Sequence, residues 1–95
     1  MKATIYNYST WLSITEPKVL DELMVKNLQD AGFVVLSVNQ HHFKPHGWTA
    51  LYLLAESHLA IHTFPEHNTT YIELSSCVKK QFDNFVKSLS NAQSK

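Results

Sequence analysis

The chain predicts an α+β fold, a two-layer sandwich in which two helices cover one face of a four-stranded, mostly antiparallel sheet in the order β-α-β-β-β-α. Three observations carry that expectation. Short β-branched and aromatic runs alternate with turn residues, while two other segments repeat their apolar residues at helical spacing. The chain has 95 residues of which 44% are apolar, enough for one core and one domain spanning residues 1–95.

Thr4 to Ile14 reads as the first strand from its β-branched and aromatic content. Thr15 then offers a helix cap and Pro17 suits a first helical turn. Val19, Leu20, Leu23, Met24, Leu28 and Ala31 follow at helical spacing, and Gly32 supplies the stop. Phe33 to Phe43 is the second strand, Lys44–Gly47 ("KPHG") is turn chemistry, and Trp48 to Ala55 is the third, pairing with the second as a hairpin. "PEHNTT" reads as loop and "YIELSS", Tyr71 to Ser76, as the fourth strand. Val78, Phe82, Phe85 and Leu89 share one face of a final helix capped by Ser75 or Ser76, and the tail from Ser90 is expected to fray.

Charge and composition narrow the function. Eight basic and eight acidic residues cancel, no arginine is present, and the lysines are scattered, which argues against nucleic-acid binding. One cysteine forms no intramolecular disulfide. The start lacks a signal-peptide core and no apolar run reaches membrane-spanning length, so a cytoplasmic protein with no membrane partner is expected. So small a core favours a homo-oligomer, a dimer first.

Chemistry concentrates in Leu54 to Glu66, "LAESHLAIHTFPE", at the exit of the third strand. His58 and His62 are spaced to share a face of either a helix or a strand. With no second cysteine and no helical zinc motif around them, no metal is expected. Of the other histidines, His46 and His67 read as turn and surface polarity. Cys77 opens the last helix, where amides and the helix dipole lower a thiol's pKa, but a small buried hydrophobe would occupy the same position. Ser57 next to His58 makes no triad, since triad partners meet in space, and no G-x-S-x-G elbow exists.

The stretch "LAESHLAIHTFPE" followed by "YIELSSC", with "HHFKPHGWTALYLL" upstream, resembles the self-processing region of the S-adenosylmethionine decarboxylase proenzymes in their short prokaryotic form. The resemblance runs without a gap from about Val38 to Cys77. It implies cleavage between Glu56 and Ser57. The Ser57 hydroxyl would attack the Glu56 carbonyl, elimination from the resulting ester would leave a dehydroalanine, and tautomerisation with loss of ammonia would convert it to a pyruvoyl group at position 57. That covalent cofactor condenses with a substrate amine to a Schiff base and acts as an electron sink, as pyridoxal phosphate does elsewhere.

By the same resemblance His62 assists processing, Thr49 supports it through its hydroxyl, and Cys77 returns a proton to the substrate carbon. Phe43 would contact the adenine or sulfonium of S-adenosylmethionine, and Glu66 the ribose hydroxyls. The implied partners are this small-molecule substrate and a second copy of the chain, in a homodimer of processed protomers. Ala60, Phe64 and Val78 depart from the family's usual serine or threonine, tryptophan and glycine. Several departures lie where substrate would be recognised, which leaves two alternatives. One is the same chemistry on a basic amino acid such as ornithine or arginine. The other is an unprocessed, non-catalytic homologue.

Overall fold

Five strands form the sheet, one more than the spacing of turn residues suggested. A computed structural model describes residues 2–93, as β1 (Tyr6–Leu12), α1 (Pro17–Ala31), β2 (Val35–His42), β3 (Trp48–Leu54), β4 (Ser57–Phe64), a single 3-10 turn (Pro65–His67), β5 (Thr69–Ser76) and α2 (Lys79–Gln93). The added strand is β4, the polar stretch itself. Its composition disguises a period of two: Ser57, Leu59, Ile61 and Thr63 point inward and are buried, while His58 and Phe64 are exposed. The sheet order is β1-β5-β4-β3-β2 with every neighbouring pair antiparallel. β1 and β2 are therefore opposite edges, joined by α1 passing over the sheet.

Both helices lie on one face. Trp48, Ala50, Tyr52 and Leu54 alternate inward along β3 and meet Leu20, Met24 and Leu28 of α1 with Phe85 and Leu89 of α2 in one core. Val19, expected on the apolar stripe of α1, is exposed instead, and Asn27 takes a buried place. The Asn27 amide donates to the Leu23 carbonyl at 2.8 Å, and Ser88 Oγ donates to Asn27 Oδ1 at 2.5 Å, so the helix contact carries a satisfied polar link. A second link ties α1 to the sheet: Tyr52 Oη donates to Asp21 Oδ1 at 2.6 Å. Burial first, then the Asp21 carboxylate, pushes the Tyr52 phenol well above its ordinary pKa.

Helix ends follow the sequence in part. Gly32 ends α1 with φ 102°, a left-handed conformation that donates back to Gln29 and Leu28. Thr15 is not the cap; Glu16 holds that position and makes no side-chain cap bond. α2 continues through Gln93, past the expected fraying at Ser90; Ser94 and Lys95 lie outside the described residues. No helix among the described residues is long and apolar enough to cross a membrane.

The other face of the sheet is bare. Leu51 is 48% exposed, Leu53 54% and Trp11 57%. They stand in the outward register with Thr49, His58, Ala60, His62, Tyr71 and Glu73.

Candidate active site

The β3–β4 hairpin closes on the pair Leu54–Ser57, leaving Ala55 and Glu56 as its loop. Two-residue hairpins need positive φ, and Glu56 supplies it at φ 61°. A side chain there costs roughly 1–2 kcal/mol relative to the right-handed region. The strained residue is the one whose carbonyl precedes Ser57. That carbonyl oxygen is met by two donors from the β5–α2 junction, the Cys77 N–H at 3.5 Å and the Cys77 thiol at 3.4 Å. Cys77 Sγ also lies 3.9 Å from Glu56 Oε2.

Ser57 is paired across β4–β5 with Ser76, and both side chains are buried. Ser57 Oγ donates to Ser76 Oγ at 2.6 Å, and the Val78 N–H donates to the same Ser76 oxygen at 3.0 Å. Glu56, Ser57 and Cys77, with Ile5, Leu53 and His58, line an open recess of about 330 Å³ that wraps the end of the sheet. A larger hollow of about 480 Å³ lies elsewhere, beside Glu16, Asp21, Gln40 and Trp48. Several polar groups at that hollow are already bonded within the protein, Trp48 Nε1 to Gln40 and Asp21 to Tyr52. The smaller recess is the one bordered by the Ser57 side chain and the Cys77 thiol.

Thr49, His62, Phe43 and Glu66 gather at the opposite end. Thr49 and His62 are register partners, with Thr49 Oγ1 3.1 Å from His62 Nδ1. Tyr71 follows in the same row, its ring stacked on that of His62 at 6.3 Å. Phe43, half exposed, packs edge-on against His41, and Glu66 pairs with His46 at 3.4 Å. His46, read from sequence as turn polarity, thus holds the carboxylate of Glu66. The structure therefore brings Glu56, Ser57 and Cys77 together, and separately Thr49 with His62 beside the Phe43–Glu66 end. It does not join the two sets within one chain. Five residue-to-residue steps of strand separate Ser57 from His62, roughly 17 Å at ~3.3 Å per step, and the two face opposite sides of the sheet.

Sequence reasoning missed Ser76 and Tyr71 as neighbours of these groups. Ser76 was visible only as a helix cap, and its contact with Ser57 comes from register, which one sequence does not state. Among the described residues no group of three or more histidine, cysteine, aspartate or glutamate side chains is arranged to hold a metal ion.

This two-layer α+β sandwich gathers a serine hydroxyl, a thiol and a backbone amide around one strained peptide carbonyl, the kinds of group that acyl-transfer chemistry uses. Residues 5–94 match the family model described as S-adenosylmethionine decarboxylase, and the chain belongs to that family. A relative from Persephonella marina, named S-adenosylmethionine decarboxylase proenzyme, is 43% identical over 60 residues, covering 63% of this chain and 45% of the relative. A proenzyme of the same name from Aquifex aeolicus is 39% identical over 56 residues, 59% of this chain and 42% of its own. The matched region spans about half the length of these curated relatives. A crystal structure titled as the adenosylmethionine decarboxylase from Aquifex aeolicus shares the fold, with a TM-score of 0.69 at 24% identity over 95% of this chain and 83% of that one.

Proposed function

We propose that the chain is a self-processing proenzyme that cleaves between Glu56 and Ser57 and then decarboxylates S-adenosylmethionine, supplying the aminopropyl donor for spermidine synthesis. The observation that carries the reading is the Glu56 carbonyl, held in a left-handed turn next to the Ser57 hydroxyl and met by both Cys77 donors. Attack of Ser57 Oγ on that carbon forms an ester and breaks the Glu56–Ser57 amide, the hydroxyl proton ending on the freed nitrogen. Charge builds on the Glu56 oxygen during attack, where the two donors stabilise it. The strain at Glu56 favours leaving the turn. Elimination then removes the Ser57 Cα proton and breaks its Cβ–O bond, releasing the upstream chain as the Glu56 carboxylate. It leaves a dehydroalanine, which tautomerises to an imine and takes up water with loss of ammonia.

The downstream chain would begin with a pyruvoyl group at position 57, which supplies an electron sink for decarboxylation of an amine-bearing substrate. The residues around the recess fit it: the site is open to one side, and the Cys77 thiol borders position 57, where it can return a proton to the substrate carbon. Phe43 and Glu66 would bind the nucleoside part, the aromatic face near the sulfonium and the carboxylate on the ribose.

Within one chain His62, Thr49, Phe43 and Glu66 lie a strand's length from Ser57. They would therefore approach it from a second copy, through the recess that opens round the end of the sheet at Glu56, His58 and Cys77. Stacking two bare faces about a two-fold axis across the strands, near the Leu51–Ala60 row, lays each Ser57 end on the partner's His62 end. The exposed Leu51, Leu53 and Trp11 would be buried by that contact. Each homodimer then holds two composite sites.

The test is an intact mass spectrum of the purified, denatured protein beside a Ser57→Ala control. Two pieces separating at Glu56/Ser57, the downstream one lighter by the change from serine to pyruvoyl, and none in the control, is the expected result. A single unchanged chain after long incubation would sink this reading and favour an unprocessed homologue. Carbon dioxide release assayed on S-adenosylmethionine, ornithine and arginine decides the substrate, and activity on the amino acids alone would overturn S-adenosylmethionine.

A further inference from the structure

We infer that Ser76 is a participant in self-cleavage, the group that orients the Ser57 hydroxyl for attack. It rests on the reading of Ser57 as the nucleophile and adds a residue to it. Ser76 is 1% exposed, yet it caps the β5–α2 junction through Val78 N–H and also accepts the Ser57 hydroxyl at 2.6 Å. A hydroxyl oxygen has two lone pairs. One is taken by Val78 N–H, a donor fixed by the backbone, and the second is thereby aimed at Ser57. A serine side chain on an exposed turn samples three rotamers; here one rotamer is selected, with the proton turned toward Ser76 and the Oγ lone pairs left free. Hydrogen-bond donation to Ser76 also increases electron density on the attacking oxygen. The acyl shift balances without net proton uptake by Ser76, because the Ser57 hydroxyl proton ends on the Ser57 nitrogen as the Glu56–Ser57 amide breaks. Ser76 thus ties the nucleophile to the same junction that presents Cys77 to the Glu56 carbonyl, so one backbone segment fixes both reactants.

The experiment follows the appearance of the two pieces by intact mass after cell-free synthesis, for the unaltered chain, Ser76→Ala, Ser76→Cys and Ser76→Thr. Ser76→Ala and Ser76→Cys are expected to slow cleavage by about 10- to 100-fold, the penalty of a misoriented nucleophile, while Ser76→Thr, which keeps the hydroxyl, stays within about threefold. Thermal unfolding in a Ser57→Ala background separates the cap from the chemistry, because no variant there can cleave. Ser76→Cys keeps the side-chain volume and serves if Ser76→Ala fails to fold. Cleavage of folded Ser76→Ala or Ser76→Cys at the unaltered rate overturns the role of Ser76 alone. Threonine as slow as alanine also overturns it and assigns Ser76 to packing. If the unaltered chain never cleaves, the reading of Ser57 fails, and this role fails with it.

Discussion

Co-expression of two inactive variants tests whether the site is shared between protomers. Ser57→Ala removes the proposed nucleophile and leaves the His62 end intact; His62→Ala does the reverse. Ser57 and His62 lie roughly 17 Å apart along β4, several times hydrogen-bond reach, so neither residue serves the other within one chain. In a mixed dimer, the intact Ser57 end of one chain meets the intact His62 end of its partner, giving one whole site and one doubly defective site. Random pairing of equal amounts makes about half of the dimers mixed, so about half of the His62→Ala chains should be cut. Alone, His62→Ala should process about 10²–10⁴-fold slower, the range for a lost acid–base group. A tag on the Ser57→Ala chain lets mass spectrometry assign each fragment, and native mass spectrometry counts the mixed dimers. Mixed dimers whose His62→Ala chains remain uncut would refute the composite site, as would His62→Ala alone cleaving like the unaltered chain.

Leu51→Glu places a carboxylate in the middle of the bare face at a position 48% exposed in the single chain; sedimentation should find a folded monomer, and cleavage should be lost with the dimer. Tyr52→Phe removes the bond to Asp21 and should cost about 1 kcal/mol at neutral pH by urea unfolding. Its raised pKa adds an alkaline signature: the unfolded phenol ionises near pH ~10 and the buried one resists, so stability is full below that pH and falls by up to ~1.4 kcal/mol per unit above it. Tyr52→Phe should remove that slope, and an unchanged slope would show that Tyr52 is not its source. Gly32→Ala puts a β-carbon at φ 102° and 3.3 Å from Gln81 Nε2, which should lower stability by about 1–2 kcal/mol in the same denaturation assay.

The architecture was legible where periodicity was unambiguous. α1 begins at Pro17 and ends at Gly32 because those two residues punctuate a clean apolar repeat, and "WTALYLL" alternates in and out as written. β4 was hidden because five of its eight residues, "SHLAIHTF", are serine, histidine, alanine or threonine, so polarity masked alternation. The candidate site was legible through the family resemblance carried by the "ESH" stretch and the cysteine that follows "YIELSS". Taken alone, those residues make no triad at Ser57 and leave Cys77 equally suited to a small buried hydrophobe. The site's division into two ends was not legible. Thr49, Ser57 and His62 are close in sequence, and only the hairpin register shows that the strands carry Thr49 and His62 away from Ser57. Ser76 stayed hidden for the same reason, since a cross-strand contact 19 residues away leaves no local pattern.

The sheet order also bears on the proposed cleavage, because it decides whether the two pieces would stay together. Cleavage at Glu56/Ser57 leaves β1, α1, β2 and β3 on the upstream piece, and β4, β5 and α2 on the downstream piece. In the order β1-β5-β4-β3-β2, the two downstream strands lie between strands of the upstream piece, bonded to β1 on one side and to β3 on the other. Ile61, Ile72, Leu74, Phe85 and Leu89 from downstream share one core with Leu20, Met24, Leu28 and Tyr52 from upstream. Cleavage after Glu56 would therefore relieve a strained turn while the strand pairings and the shared core still tie the two pieces together. The strain favours the proposed reaction, since the peptide bond in question follows a glutamate held at φ 61° in a hairpin loop. A scissile turn on an edge strand, or between two separable layers, would release its fragment. Set at the centre of an interleaved sheet, it would yield a new chain terminus beside Cys77 with paired strands on both sides.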